Sequence, residues 1–191
     1  VGTSPEIEAL AARMTDFEAI ERVPLPDGLQ ATLRDYQADG FYWMQFLARY
    51  QLHGILADDM GLGKTLQTLA HILAEKETGR SGALPSLVVA PTSVVVNWQR
   101  EAAKFSPALN VLVLQGADRH RSFGKIPDAD IVLTSYALVP RDLERFAAYH
   151  FHLCVLDEAQ HVKNPGAQIS VAVREINAVQ RLCLSGTPIE N

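Results

Sequence analysis

Along most of the 191-residue chain, short apolar runs alternate with longer stretches in which apolar positions recur every three or four residues. The apolar runs are Gly54–Leu56, Leu87–Ala90, Val111–Leu114, Ile131–Thr134, Leu153–Leu156 and Arg181–Leu184, each predicting a strand. Between them the spacing predicts helices over Tyr36–Arg49, Thr65–Glu77, Val94–Phe105, Leu138–Tyr149 and Gly166–Glu175. A short turn or helix is expected at His120–Lys125. Gly79–Pro85 is expected as a loop with a mobile Gly-Arg-Ser-Gly core. Strands this short and this apolar on both sides of the chain are those of a parallel sheet covered on both faces. The predicted class is therefore α/β, a mostly parallel, doubly wound sheet with helices on both faces. In such sheets ligands sit beyond the carboxyl ends of the strands, and the polar residues of interest in this chain fall at those ends.

The first 28 residues read differently. Ser4 as a cap, Pro5 in the first turn and apolar Ile7, Leu10, Ala11, Met14 and Phe17 predict a helix to Ile20. Pro24, Pro26 and Gly28 then break the chain, so residues 1–28 are expected to be a helical extension or linker before a domain spanning residues 29–191.

The densest chemistry lies in Gly54–Leu66, where an apolar strand runs into Asp58-Asp59-Met60-Gly61-Leu62-Gly63 and then Lys64-Thr65-Leu66 opening a helix. Strand, glycine-bearing loop and Lys-Thr helix start are the parts of a phosphate-cradling loop. Gly61 and Gly63 let backbone N–H groups approach phosphate oxygens, and the helix start favours an anion there. Lys64 is placed to reach the β- and γ-phosphates, and the Thr65 hydroxyl to meet Mg²⁺. Asp58 stands where the strict pattern has its first glycine. A second centre follows the strand Leu153–Leu156, where Asp157 and Glu158 arrive together at a carboxyl end. Asp157 can hold Mg²⁺ opposite Thr65, and Glu158 can polarise an attacking water.

Composition narrows the setting. Apolar residues make up 48% and charged residues 20%, which argues against disorder. A net charge of −5 leaves no global basic footprint, so contact with nucleic acid must use a local patch or another part of the protein. The two cysteines, Cys154 and Cys183, lie in apolar strands and read as buried free thiols, too few for a zinc site. No stretch has signal-peptide form or membrane-spanning length, so a cytoplasmic setting, nucleoid-associated or nuclear according to the host, is the default expectation.

Taken together, several segments resemble the Swi/Snf family of helicase-like, DNA-translocating ATPases. They are Leu33-Arg34-Asp35-Tyr36-Gln37, the Asp58–Thr65 loop, Ala90-Pro91-Thr92-Ser93 with Asn97-Trp98, Leu133-Thr134-Ser135-Tyr136, Asp157-Glu158-Ala159-Gln160 with Lys163-Asn164-Pro165, and Leu184-Ser185-Gly186-Thr187-Pro188. The similarity runs from about Leu29 to Asn191 in the family's order, and Asp58 in place of glycine is usual within it.

The resemblance implies a RecA-like first motor lobe, with ATP and Mg²⁺ as ligands and a second RecA-like lobe in cis. Gln37 with Arg34 would recognise adenine. Asp59, Met60, Gly61, Leu62, Gly63, Lys64, Thr65 and Leu66 would form the nucleotide loop, with Lys64, Asp157 and Glu158 catalytic. Pro91-Thr92 and Thr134-Ser135 would touch the backbone of duplex DNA, although a strand-end cap accounts equally well for Thr134-Ser135. Ser185-Gly186-Thr187 would couple the two sites, or be only a turn. His161 reads as a surface side chain. DNA-bound proteins are further implied partners, and no membrane is implied. A strand-separating RNA or DNA helicase and a non-catalytic nucleotide-gated binding module share most of these motifs and remain the alternatives. With the second lobe and its arginine fingers outside this chain, the lobe alone is expected to turn over ATP very poorly.

Overall fold

The computed structural model describes residues 20–59 and 61–186. The helix expected over Ser4–Ile20, all but its last residue, lies outside the described residues, as do Met60, Thr187 and Pro188. The elements follow in order as α1 (Asp35–Tyr50), β1 (Gly54–Ala57), α2 (Lys64–Glu77), β2 (Ser86–Ala90), α3 (Thr92–Phe105), β3 (Val111–Val113), β4 (Ile131–Ser135), α4 (Leu143–Phe146), β5 (Phe151–Leu156), α5 (Gln168–Glu175) and β6 (Ala178–Ser185). A 3₁₀ segment, Ala117–Asp128, precedes β4, and shorter ones, Pro140–Asp142 and Ala159–Val162, flank α4 and follow β5.

The six strands form one sheet in the order β1-β6-β5-β2-β4-β3, and every pair is parallel. Parallel neighbours require a crossover each time, which is why helices and strands alternate along the chain. Side-chain alternation divides the core in two. Val88, Leu133, Val155 and Leu182 face α1, α2 and α3, where Met44, Leu69, Leu73 and Trp98 pack on them. Leu87, Val89, Val132 and Cys154 face the other way, onto Phe123, Ile126, Phe146 and Val173 from the 3₁₀ segment, α4 and α5. With both faces covered, β2 and β4 are buried along their whole length. Their unbroken apolar runs have that cause.

Gly40 sits mid-helix in α1 because α2 passes close beneath it: a Cβ there would come within 2.0 Å of Gln67 Oε1. Residues 20–28, expected as a linker, are fastened to the lobe. Val23 packs beside Leu33 and Phe41, and the N–H groups of Asp27 and Gly28 each donate to the Glu77 carboxylate at 2.8 Å.

Three local expectations change. The single helix predicted for Leu138–Tyr149 is a 3₁₀ turn and one helical turn, Leu143–Phe146. Pro140 removes a backbone donor there, and Asp142 turns its buried carboxylate onto Arg119, with contacts of 2.6 and 3.0 Å. The loop after α2 is anchored at its centre: Arg80 pairs with the buried Glu75 at 2.6 Å and reaches Gln45 Oε1. The last strand begins three residues earlier than its apolar run, because Gln180 is buried with its amide donating to Leu52 O at 3.0 Å. Both cysteines are free thiols, and burial pushes Cys154 up to about 12. Among the described residues no helix is long and apolar enough to cross a membrane.

Candidate functional site

All six strands point the same way, so the residues following them share one edge of the sheet. Register sets who stands beside whom. Ala57 pairs with Ser185, which brings the Ser185-Gly186 turn against the entrance of the glycine loop. Val89 pairs with Leu156 and Ala90 with Ser135, so Asp157, Pro91 and Tyr136 leave the sheet side by side.

The loop after β1 turns through two glycines in the left-handed region, Gly61 at φ +83° and Gly63 at φ +81°. A Cβ on Gly61 would meet nothing within 4 Å, so the loop presents an open cradle at that point. Lys64 opens α2, and its largely buried ammonium donates back to the carbonyls of Asp58 at 2.7 Å and Asp59 at 3.0 Å. The first turn of α2 carries no acidic side chain, leaving its N–H groups to an anionic ligand. The loop is also held from α1. Gln37 accepts the Arg34 N–H at 3.0 Å and donates to Leu62 O at 3.2 Å. Gln37 is thus fixed between the start of α1 and the glycine loop, while Arg34 is exposed beside it. Thr65 and Leu66 are half-buried, Leu66 against Phe41 and its neighbours; Asp59 is exposed.

Across the cleft lies the acid pair. Asp157 is only 6% exposed. Its Oδ2 accepts the indole N–H of Trp98 at 2.8 Å, and its Oδ1 accepts the Glu158 N–H at 2.9 Å. Burial pushes the Asp157 carboxyl above its usual range, against the pull of Trp98, the Glu158 N–H and the Lys64 charge. Glu158 occupies the left-handed region at φ 50°, ψ 54°, uncommon for a residue with a side chain, and Gln160 donates to its carboxylate at 2.7 Å. Gly61, Gly63, Lys64, Thr65, Asp157 and Glu158 line one cleft, closed on a third side by Val94, Asn97 and Glu101 of α3. The two centres, nearly a hundred residues apart in sequence, therefore face each other.

The other expected positions divide. Thr92 is exposed at the first turn of α3, with Pro91 as its N-cap. Thr134 is fully buried and its hydroxyl donates to Leu114 O at 3.2 Å, and Ser135 is almost as buried. The geometry of Thr134 is that of a strand-end bond within the fold, not of a hydroxyl presented outward. His161 is exposed but engaged, its ring stacked on Tyr136 at 5.2 Å. The residues that sequence reasoning left without a role are Trp98 and Tyr136. Trp98 stood in the Asn97-Trp98 pair, and an indole four residues beyond a helix's first apolar contact reads simply as core. Its bond ties α3 to the residue that follows β5, a pairing between segments 59 residues apart.

Among the described residues no cluster of three or more His, Cys, Asp or Glu could hold a metal by itself. The cleft instead offers one hydroxyl, Thr65, and one buried carboxylate, Asp157. That donor set suits Mg²⁺ carried in on nucleotide phosphates, since the ion keeps most of its shell as phosphate and water oxygens.

Known proteins resemble this chain in sequence and in fold. Residues 36–191 match the family model for the SNF2-related domain. The TATA-binding protein-associated factor mot1 of Aspergillus fumigatus is 43% identical over 192 residues, covering 94% of this chain and 10% of that protein. A putative ATP-dependent helicase/translocase of Bacillus subtilis, YwqA, is 39% identical over 191 residues, covering 98% of this chain and 21% of its own length. Among solved structures, the Sulfolobus solfataricus SWI2/SNF2 ATPase core in complex with dsDNA is 43% identical with a TM-score of 0.82, over 90% of this chain and 35% of that one. The chain thus spans about a tenth to a fifth of these curated relatives. On the match over residues 36–191 and the shared parallel sheet, this chain belongs to the SNF2-related domain family.

Proposed function

We propose that this chain is the ATP-binding first lobe of a motor that hydrolyses ATP to move along duplex DNA and remodel proteins bound there. The observation that carries the reading is the single cleft in which the glycine loop, Lys64 and Thr65 face Asp157 and Glu158. Backbone N–H groups at Gly61 and Gly63 and the start of α2 would cradle the phosphates, and Lys64 would exchange at least one carbonyl contact for phosphate oxygens. Mg²⁺, when bound, neutralises charge on the β- and γ-phosphates; Thr65 and Asp157 are the residues that would hold it. Glu158 would take a proton from the attacking water. Gln37, fixed on the loop with one amide hydrogen and one oxygen lone pair unspent, suits an adenine edge, with Arg34 beside it.

At the Pro91-Thr92 corner the exposed start of α3 would offer the N–H groups of Thr92 and Ser93 to a DNA phosphate, a contact that carries no sequence information. Ser185-Gly186, which the β1–β6 ladder sets beside the glycine loop, would pass changes at the phosphates to the rest of the edge. A second RecA-like lobe would close the cleft and supply arginine fingers, each worth ~10³–10⁵ in turnover. With a net charge of −5, this lobe would bind DNA weakly by itself.

The test is Lys64→Ala in the full-length protein. ATP-driven turnover should disappear while the circular dichroism spectrum and melting temperature stay near those of the parent. Normal turnover in that variant would remove the phosphate-loop assignment.

A further inference from the structure

The peptide that joins Asp157 to Glu158 is held at both ends. Its N–H donates to Asp157 Oδ1 at 2.9 Å, and its C=O accepts the Tyr136 hydroxyl at 2.7 Å. We propose that Tyr136 is a positioning residue for the acid pair, fixing the peptide plane and hence the direction in which Glu158 presents its carboxylate. The inference rests on the ATP-hydrolysing reading above.

Tyr136 is built for a fixed reach. It follows β4 directly, and its ring is 4% exposed in the core on the α4–α5 side of the sheet. Its backbone N–H donates to Ala90 O at 3.3 Å, and its ring stacks on His161 with the planes 22° apart. One residue, through its backbone N–H and its hydroxyl, therefore spans from the end of β2 to the end of β5. Its partner is a carbonyl oxygen, which can only accept, so the hydroxyl is the donor of this bond. What it holds needs holding. Glu158 sits at φ 50°, and an L residue released from that region relaxes toward β or right-handed helical backbone, swinging its side chain with it. Trp98 grips the Asp157 carboxylate from the opposite face of the sheet, so the carboxylate and the peptide behind it are fixed independently.

The experiment is steady-state ATP turnover by the full-length, DNA-stimulated protein carrying Tyr136→Phe, which keeps the ring and its stack on His161 but removes the donor. A misdirected base lowers kcat by roughly 10- to 100-fold while KM for ATP stays within about twofold of the parent. Tyr136→p-aminophenylalanine restores an N–H donor at the same place and should recover most of the lost kcat. A parental kcat in Tyr136→Phe, or a loss that the amino variant leaves unrepaired, would overturn the proposal. If Tyr136→Phe fails to fold, the amino variant decides alone: near-parental kcat supports the positioning role, and a folded enzyme with low kcat refutes it. Lys64→Ala runs alongside. Turnover surviving in that variant would defeat the ATP reading itself, whereas turnover lost there but parental in Tyr136→Phe would defeat only the role given to Tyr136.

Discussion

His71 should make the fold acid-sensitive well above the range where carboxylates titrate. The residue lies in α2, fully buried. Arg80 can only donate, so its contact with Gln45 turns the Gln45 oxygen toward it and the Gln45 amide toward His71 Nδ1, 2.8 Å away. Nδ1 is thereby an acceptor, and a proton placed there would meet another donor. Burial accordingly drives His71 down to about 4 from 6.5, against the pull of nearby Glu75.

The sign follows directly. Between pH 6.5 and 4 the unfolded chain binds a proton at His71 that the folded chain refuses, so stability rises with pH across that window. The contribution is complete above about pH 6.5 and is lost as the pH falls toward 4. At a slope approaching 1.4 kcal/mol per pH unit, the loss between pH 7 and pH 5 comes to roughly 2 kcal/mol. Urea unfolding at pH 7 and pH 5 measures it, with His71→Gln as the comparison, a side chain that stays neutral throughout. The parent should lose roughly 2 kcal/mol more than the variant over that interval. An equal loss in both would refute the assignment of the acid sensitivity to His71. Glu75, whose charge acts on His71, titrates in a lower window. Burial alone would raise it, but the hydrogen bonds from His152 and Arg80 bring it down to about 2, so its share is lost only below about pH 4.5.

Gly63→Ala puts a Cβ where Gln37 Nε2 stands, 2.4 Å away, on backbone at φ +81°. The variant should fold but bind a fluorescent ATP analogue at least roughly tenfold more weakly, because Gln37 must leave the loop and the cradle is strained. Binding at parental strength would show that neither Gln37 nor the left-handed turn matters to the nucleotide. Glu158→Gln keeps the shape and an acceptor for Gln160 but removes the base. Turnover should fall by roughly 10²- to 10⁴-fold with ATP affinity kept, and a loss of affinity instead would make Glu158 a structural residue.

Much of this was legible in the chain. Apolar runs marked all six strands; β2 and β4, buried along their whole length, leave little room for polar positions, while β1 and β3 stay partly exposed and β6 begins ahead of its run at the polar Gln180. The loop at Gly61–Thr65 and the pair Asp157-Glu158 were visible because phosphate and metal chemistry demand particular residue types in a fixed local order. What was hidden depends on register between distant segments. Nothing near Tyr136 says that its hydroxyl reaches Asp157 O, since that requires β4 and β5 to flank β2. Thr134 reads the same whether its hydroxyl faces outward or bonds Leu114 O. The helix expected through Leu138–Tyr149 had the right spacing. Pro140 and the Arg119–Asp142 pair, made across more than twenty residues, overrode it.

The most direct test of the whole account is ATP turnover by this chain and by the full-length protein side by side, each with duplex DNA, with single-stranded DNA and without either. A motor split between two lobes predicts near-zero turnover for this chain and turnover in the full-length protein that duplex DNA stimulates more than single strands do. Comparable hydrolysis by this chain alone, or stimulation by single strands only, would contradict it.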